Sequence, residues 1–520
     1  MTDLYRPQFL PDLLVAALGR NGERPCVFID DHVLTASEVG QQVSRYVQAY
    51  EAQGLAQGTG VATLSKNRPE VLFSIGANMI TASRASALHP LGSLDDHAYV
   101  IEDAQIDTLI FDPTFDERAR QLRDRIPTLR RMLSYGPSTV GEDLIALAAA
   151  FEPMPLVPPH VDAEDTPALA YTGGTTGKPK GVMATYRSSA AMAQIMYAEW
   201  QWPDDVRHLV CTPLSHAGSA FLVPILLHGG SMVVLPWFDA GLVLDAIEQH
   251  RITTMMLVPS MLYALLDHPR FDQADLSSLQ TVFYGASPIS PTRLNEAIRK
   301  LGQIFFQFYG QTESPQTVCV LRKEEHVPDD LARLASCGRP VPWTRVALLD
   351  DEGNEVSPGE PGELCVQGPL VMAGYWNRPV ETEKALEGGW LHTGDVARQD
   401  ADGFLTIVDR KKDMIISGGF NVYPREIEDV IATHPSVATV AVVGVPDEKW
   451  GEAVKAVVVL RDGATVDIDE LIAFVKERKG SHHAPKSVDV VDSLPLSPLG
   501  KPDKKALRER YWGAGDRRVN

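Results

Sequence analysis

Through the middle of the chain, short apolar runs alternate with longer stretches in which apolar positions recur three and four apart. RHLVCTP, SMVVLPW, TTMMLVP and LQTVFYG are of the first kind, and GLVLDAIEQH of the second. Continuous apolar runs predict strands buried on both faces, and the wider spacing predicts amphipathic helices laid over them. The fold class expected is therefore α/β, with a large multi-layer N-terminal body. Five prolines between Pro153 and Pro167 predict an extended connector inside that body.

The pattern changes near Asp409. IVDRKKDMIISGGFNVYPREIEDVI combines a charged cluster, a short apolar run, a double glycine and a helix starting near Pro424; TVAVVGV and AVKAVVVL follow as strands. From Asp467 to Lys479 the spacing puts Ile468, Leu471, Ile472 and Val475 on one helical face, with Gly480 placed to end the helix. Residues from 414 onward read as a small α/β domain with its own core.

Composition narrows the function. Of 520 residues, 48 are basic and 68 acidic, a formal charge of −20. That balance argues against nucleic acid as a partner, so an anionic ligand has to be held by local groups. No apolar run is long enough for a transmembrane segment, and prolines and charges interrupt the N-terminal stretch where a signal peptide would need an unbroken apolar core. Cys26, Cys211, Cys319, Cys337 and Cys365 are scattered and never spaced as CxxC. They read as packed, reduced thiols in a cytoplasmic protein, with no cysteine metal site expected.

YTGGTTGKPKGVM, Tyr171 to Met183, carries the most distinctive local chemistry. Glycines let backbone N–H groups approach an anion, threonines add donors, and Lys178 and Lys180 add charge. It is not a Walker loop: Thr172 stands where the first glycine belongs, and Pro179 where the magnesium-binding hydroxyl would be. A glycine-rich surface turn is the competing reading. Further on, Tyr309-Gly310-Gln311-Thr312-Glu313 offers a ring, a hydroxyl and a carboxylate. His392 to Val396 sets Asp395 after a glycine, Arg410 follows, and Lys501 comes after Gly500 ahead of a helix. Singly, each has a structural alternative: a packed tyrosine, an aspartate in a turn, a solvated arginine, a surface lysine.

In this order and spacing, over about residues 25 to 511, these motifs resemble the acyl-adenylate-forming superfamily, and most closely its acyl-CoA synthetases. The resemblance implies a large domain over 1–408, a hinge at 409–413 centred on Lys412, and a mobile small domain over 414–520. It implies ATP, Mg2+ and coenzyme A. The loop from Thr172 through Gly173, Gly174, Thr175, Thr176 and Gly177 to Lys180 would hold the β- and γ-phosphates, with Thr176 and Glu313 near magnesium. Gly173 stands where many members have serine.

Gly285, Ala286, Ser287 and Tyr309 would border adenine, with Gly310 and Gln311 beside them and Thr312 at the α-phosphate. Asp395 would accept from the ribose hydroxyls, and Arg410 would donate to the ribose and phosphate region. Lys501 would neutralise charge as carboxylate meets α-phosphate. Gly418 and Gly419 would line a pantetheine tunnel, and His216 in PLSHAG would gate the acyl pocket, a packed core histidine being its alternative. The segment SPLGKPDKKALR departs from the commoner TPSGKILRR, keeping the glycine and lysine.

The function expected is an ATP- and magnesium-dependent acyl-CoA ligase. A carboxylate repels nucleophiles, so it is first joined to AMP with loss of pyrophosphate; a thiol then displaces AMP. Two alternatives stand beside it: an adenylating enzyme that hands its product to a carrier protein or partner enzyme, and a non-catalytic nucleotide- or acyl-binding homologue. A homodimer also stays open. The acyl pocket, drawn by the resemblance from His216 to Leu222, Val258 to Leu262 and Tyr284 to Ser287, contains no Lys, Arg, Asp or Glu. A hydrophobic carboxylic acid is therefore expected, because burying a charged tail there would be costly.

Overall fold

The structure is a computed structural model that describes residues 6–29, 32–172, 178–417, 420–447, 449–495 and 502–512. The four apolar runs are strands, at Arg207–Val210, Ser231–Val234, Thr254–Leu257 and Thr281–Tyr284, and GLVLDAIEQH lies in the helix Ala240–His250. Asp239 caps that helix, its carboxylate accepting from Leu242 N–H at 2.9 Å, and Arg251 ends it in the left-handed region.

These strands are the parallel centre of a nine-stranded sheet, extended on one side by Phe305–Gln311 and closed by the antiparallel strand Ser314–Leu321. Both faces are covered. Val282, Phe283, Tyr284, Phe305 and Phe306 are fully buried, and each such side chain contributes roughly 1.5–3 kcal/mol relative to exposure. A second, seven-stranded sheet is parallel through Gly60–Leu64, Arg84–Leu88 and Thr108–Phe111. It ends in an antiparallel hairpin, Ala168–Thr172 with Lys180–Ala184. Residues 153–161 carry no regular secondary structure, as the prolines require.

A four-stranded antiparallel sheet, Arg345–Leu349, Gly362–Gln367, Leu391–Gln399 and Leu405–Arg410, follows. The body foreseen as one α/β unit is thus three sheets. Beyond it, Ile415–Ser417, Phe420–Val422, Val437–Asp447, Gly451–Leu460 and Ser487–Val490 form a further sheet under the helices Pro424–Ala432 and Ile468–Lys479. It has a core of its own built on Ile415, Ile427, Val442, Val454, Leu471 and Val475. Gly480 stops the second helix at φ +86°. One expectation for that helix fails: Leu471 and Val475 are buried but Ile468, at the first helical position, is 41% exposed. All five cysteines are free and buried. No helix among the described residues is long and apolar enough to cross a membrane.

Candidate active site

The hairpin from Thr172 to Lys180 brackets the glycine-rich loop, with Thr172 and Lys180 paired across it. Gly173, Gly174, Thr175, Thr176 and Gly177 lie outside the described residues, as do Gly418, Gly419 and Lys501. Lys180 Nζ sits 3.9 Å from the centre of the Tyr375 ring, and the Tyr375 hydroxyl donates to Glu313 Oε1 at 2.8 Å. Met183 N–H donates to Gly374 O, and Met372 N–H to Glu313 O, both at 2.9 Å. The base of the loop and the Glu313 carboxylate are therefore held through one tyrosine. Burial, then the Glu313 charge, raise the Tyr375 phenol well above its ordinary pKa, so it stays a donor.

Glu313 and Thr312 occupy the tight turn between Phe305–Gln311 and Ser314–Leu321. Gly310 is required at its neck: a Cβ there would meet Gln316 N at 2.4 Å. Gly285 follows the strand Thr281–Tyr284, where a Cβ would meet Phe308 O at 2.4 Å, and Ala286 next to it is held at φ +64°. Gly285 thus passes closely beside the strand that carries Tyr309, Gly310 and Gln311, and Ala286 and Ser287 follow it.

From that strand Tyr309 Oη donates to Asp395 Oδ2 at 2.6 Å, and Arg410 Nε binds Asp395 Oδ1 at 2.6 Å. Asp395 is 4% exposed. Burial and then the Asp395 charge push the Tyr309 phenol well above the ordinary tyrosine range. Asp395 lies on a bulge. Glu363 pairs with Val396 and Cys365 with His392, two steps on one strand against four on the other, so that Thr393, Gly394 and Asp395 face Leu364 with two residues in surplus, while Asp395 stays paired with Arg410 on the other side. Gly394 takes φ +70°. Thr393 Oγ1 donates to Leu364 O at 2.6 Å and accepts from Asp395 N–H at 3.1 Å, restoring partners the ladder has lost.

His216 ends the strand-to-helix connection ahead of the 3-10 turn Ala217–Phe221. It is exposed rather than a packed core histidine. Its Nδ1 faces Ser215 Oγ at 2.9 Å, and its ring meets the His89 ring edge-to-face with centroids 4.9 Å apart. Partial desolvation by the neighbouring protein, and then His89, push its pKa down to about 4, so the ring is neutral at physiological pH. Lys412 follows Arg410 and Lys411 in the turn after Leu405–Arg410.

Sequence reasoning missed Tyr375, His89, Glu363 and Lys411. None stands in a spacing pattern that advertises chemistry, and each is found only through the partner it touches.

Comparison with known proteins identifies the family. The AMP-binding enzyme family matches residues 14–376, and its C-terminal domain matches residues 426–501. This chain belongs to that family. A medium/long-chain-fatty-acid–CoA ligase, FadD8 of Mycobacterium tuberculosis, is 55% identical over 98% of this chain and 92% of its own. A feruloyl-CoA synthase of an Amycolatopsis species is 39% identical over 92% of this chain and 94% of its own. Among solved structures, the amide bond synthetase McbA from Marinactinospora thermotolerans superposes with a TM-score of 0.88 at 34% identity, covering 96% of this chain and 99% of that one. The resemblance read from the motifs and the α/β fold class are both borne out.

Proposed function

We propose that this chain activates a medium- to long-chain fatty acid, with its nucleotide held on the Tyr309–Asp395–Arg410 triad. It is an AMP-forming acid–thiol ligase: it joins a carboxylic acid to AMP with release of pyrophosphate, then passes the acyl group to coenzyme A. The observation that carries the assignment of the site is the union of two groups on one hairpin. Tyr309 reaches Asp395, which Arg410 also holds, and four residues on Glu313 accepts from Tyr375, whose ring lies under Lys180. A buried carboxylate beside a guanidinium suits ribose hydroxyls and a phosphate; a carboxylate and an ammonium gathered on one tyrosine suit a metal-bound polyphosphate.

Magnesium fits this donor chemistry. Glu313 supplies a carboxylate oxygen and Thr176 a hydroxyl, and magnesium prefers oxygen ligands shared with substrate phosphates. When bound it would neutralise phosphate charge. The loop from Thr172 to Lys180 holds the phosphates, and Gly285, Ala286, Ser287, Gly310, Gln311 and Thr312 border the base and α-phosphate. His216 stands at the acyl entrance, and Gly418 and Gly419 serve the pantetheine arm. Residues 409–413 are the hinge, with 1–408 and 414–520 moving as two bodies. The five buried free thiols suit the cytoplasm. The likeness to an amide bond synthetase favours one second reading, an adenylate handed to an acceptor other than coenzyme A.

Pyrophosphate release is measured across fatty, aryl, amino and dicarboxylic acids, with and without coenzyme A, on the wild type and Lys501→Ala. Fatty acids should be fastest, thioester should appear only with coenzyme A, and Lys501→Ala should lower release by about two orders of magnitude, as loss of a charged transition-state donor does. Faster turnover of a dicarboxylate or an amino acid would overturn the substrate assignment.

A further inference from the structure

Among the described residues one group of histidine, cysteine and carboxylate side chains has ligand atoms within 4.8 Å of one another: Glu363, Cys365 and His392. It resembles a metal site only in composition. The carboxylate oxygen a cation would need, Glu363 Oε2, already receives the Lys411 ammonium at 3.0 Å and His392 Nδ1 at 3.2 Å. Burial, and then the Glu363 charge, push the Cys365 thiol up to about 12, which keeps it protonated and a poor ligand. The other oxygen, Oε1, accepts from Gly394 N–H at 3.0 Å.

A carboxylate 8% exposed is expensive unless it is fully paired, and an apolar side chain would staple a sheet as well. What this one holds is specific. Gly394 immediately precedes Asp395 on the bulge, and its two peptide groups are gripped from opposite sides: Glu363 takes the N–H, while Lys411 N–H donates to Gly394 O at 2.8 Å. Lys411 also closes the circuit through its side chain, and it directly follows Arg410, whose Nε holds Asp395. Both supports of the aspartate therefore run through the segment that ends at Lys411.

We propose that Glu363 is a positioning residue for nucleotide recognition: paired with Lys411, its buried carboxylate sets the Gly394 bulge so that Asp395 meets the ribose hydroxyls. This rests on the assignment of Asp395 to the ribose. The consequence is selective. Loosening the bulge weakens the hydroxyl contacts and leaves base and phosphate contacts alone, so discrimination between a ribose and a sugar lacking both hydroxyls is the quantity that moves.

The test is equilibrium binding of ATP and of 2′,3′-dideoxy-ATP to the full-length protein by titration calorimetry, without acid. Wild type should favour ATP by at least about tenfold, the worth of a charge-assisted hydrogen bond. Asp395→Asn should abolish the preference. Glu363→Gln and Lys411→Met should each cut it by roughly fivefold through loss of ATP affinity alone, and together no further, since both break the Glu363–Lys411 contact; the other partner of the Lys411 ammonium, Asp351 at 2.7 Å, is exposed and remote from the bulge in the hydrogen-bond circuit. Lys411 is 43% exposed at its side chain, so its variant keeps the test open should Glu363→Gln fail to fold. An intact preference in both variants beside a collapsed one in Asp395→Asn overturns the proposal, as does equal weakening of both nucleotides. An intact preference in Asp395→Asn instead overturns the ribose assignment beneath it.

Discussion

Around Asp395 the protein spends charge: a buried carboxylate is met by Arg410 and Tyr309, and its backbone is steadied by a second buried carboxylate, Glu363, which Lys411 neutralises. Around His216 it spends none. The stretch His216 to Leu222 has no charged side chain, and the one titratable ring faces another neutral histidine, His89. The contrast fits the ligands proposed for the two ends. A ribose and a phosphate need preorganised dipoles and charges, which are strong only where water is excluded. An alkyl tail asks only for apolar area, worth about 25 cal/mol per Å². Asp395 is also carried on a strand, whereas His216, proposed for the acyl end, leads into a short 3-10 turn.

The contrast can be broken from the charged side first. Asp395→Ala leaves Arg410 and Tyr309 facing an empty acceptor position and should lower acid-dependent pyrophosphate exchange by about two orders of magnitude or more. An exchange rate within threefold of wild type would mean the triad is structural.

Gly285→Ala sharpens it by geometry alone. The new methyl would meet Phe308 O at 2.4 Å and the Phe308 ring at 2.9 Å, so unfolding in urea should show a loss of about 1–3 kcal/mol. The apparent KM for ATP should rise while that for the acid holds. A shift in the acid KM alone would move Gly285 to the other end of the site.

The smallest effect is at the acyl end. With its pKa pushed down to about 4, His216 is neutral above that pH and takes a proton only as pH falls through it. The acid KM should therefore stay level from pH 8 to about pH 5 as far as His216 is concerned, instead of rising near 6.5, the ordinary histidine value. In His89→Asn the neighbour that helps depress His216 is gone, and the acid limb should move modestly upward. A rise in wild-type acid KM centred near 6.5 would show that the gate is charged.

Much of this was legible in residue order. Periodicity of apolar positions marked the buried strands and the helices capped by Asp239 and ended by Gly480, because those depend on neighbours a few residues away. The composition of Thr172 to Lys180 pointed to an anion, since glycine, hydroxyl and ammonium act locally. The small domain's core was visible for the same reason, apart from Ile468, which the tertiary packing leaves exposed at the start of its helix. What only the tertiary structure decided is which side chains meet. That Tyr375 joins Lys180 to Glu313 spans 195 residues of chain; that Lys411 shares Glu363 with Gly394 follows from a two-residue surplus in one strand pairing. Local pattern carries no information about register between distant strands, and register sets which carboxylates are paired, buried and able to work.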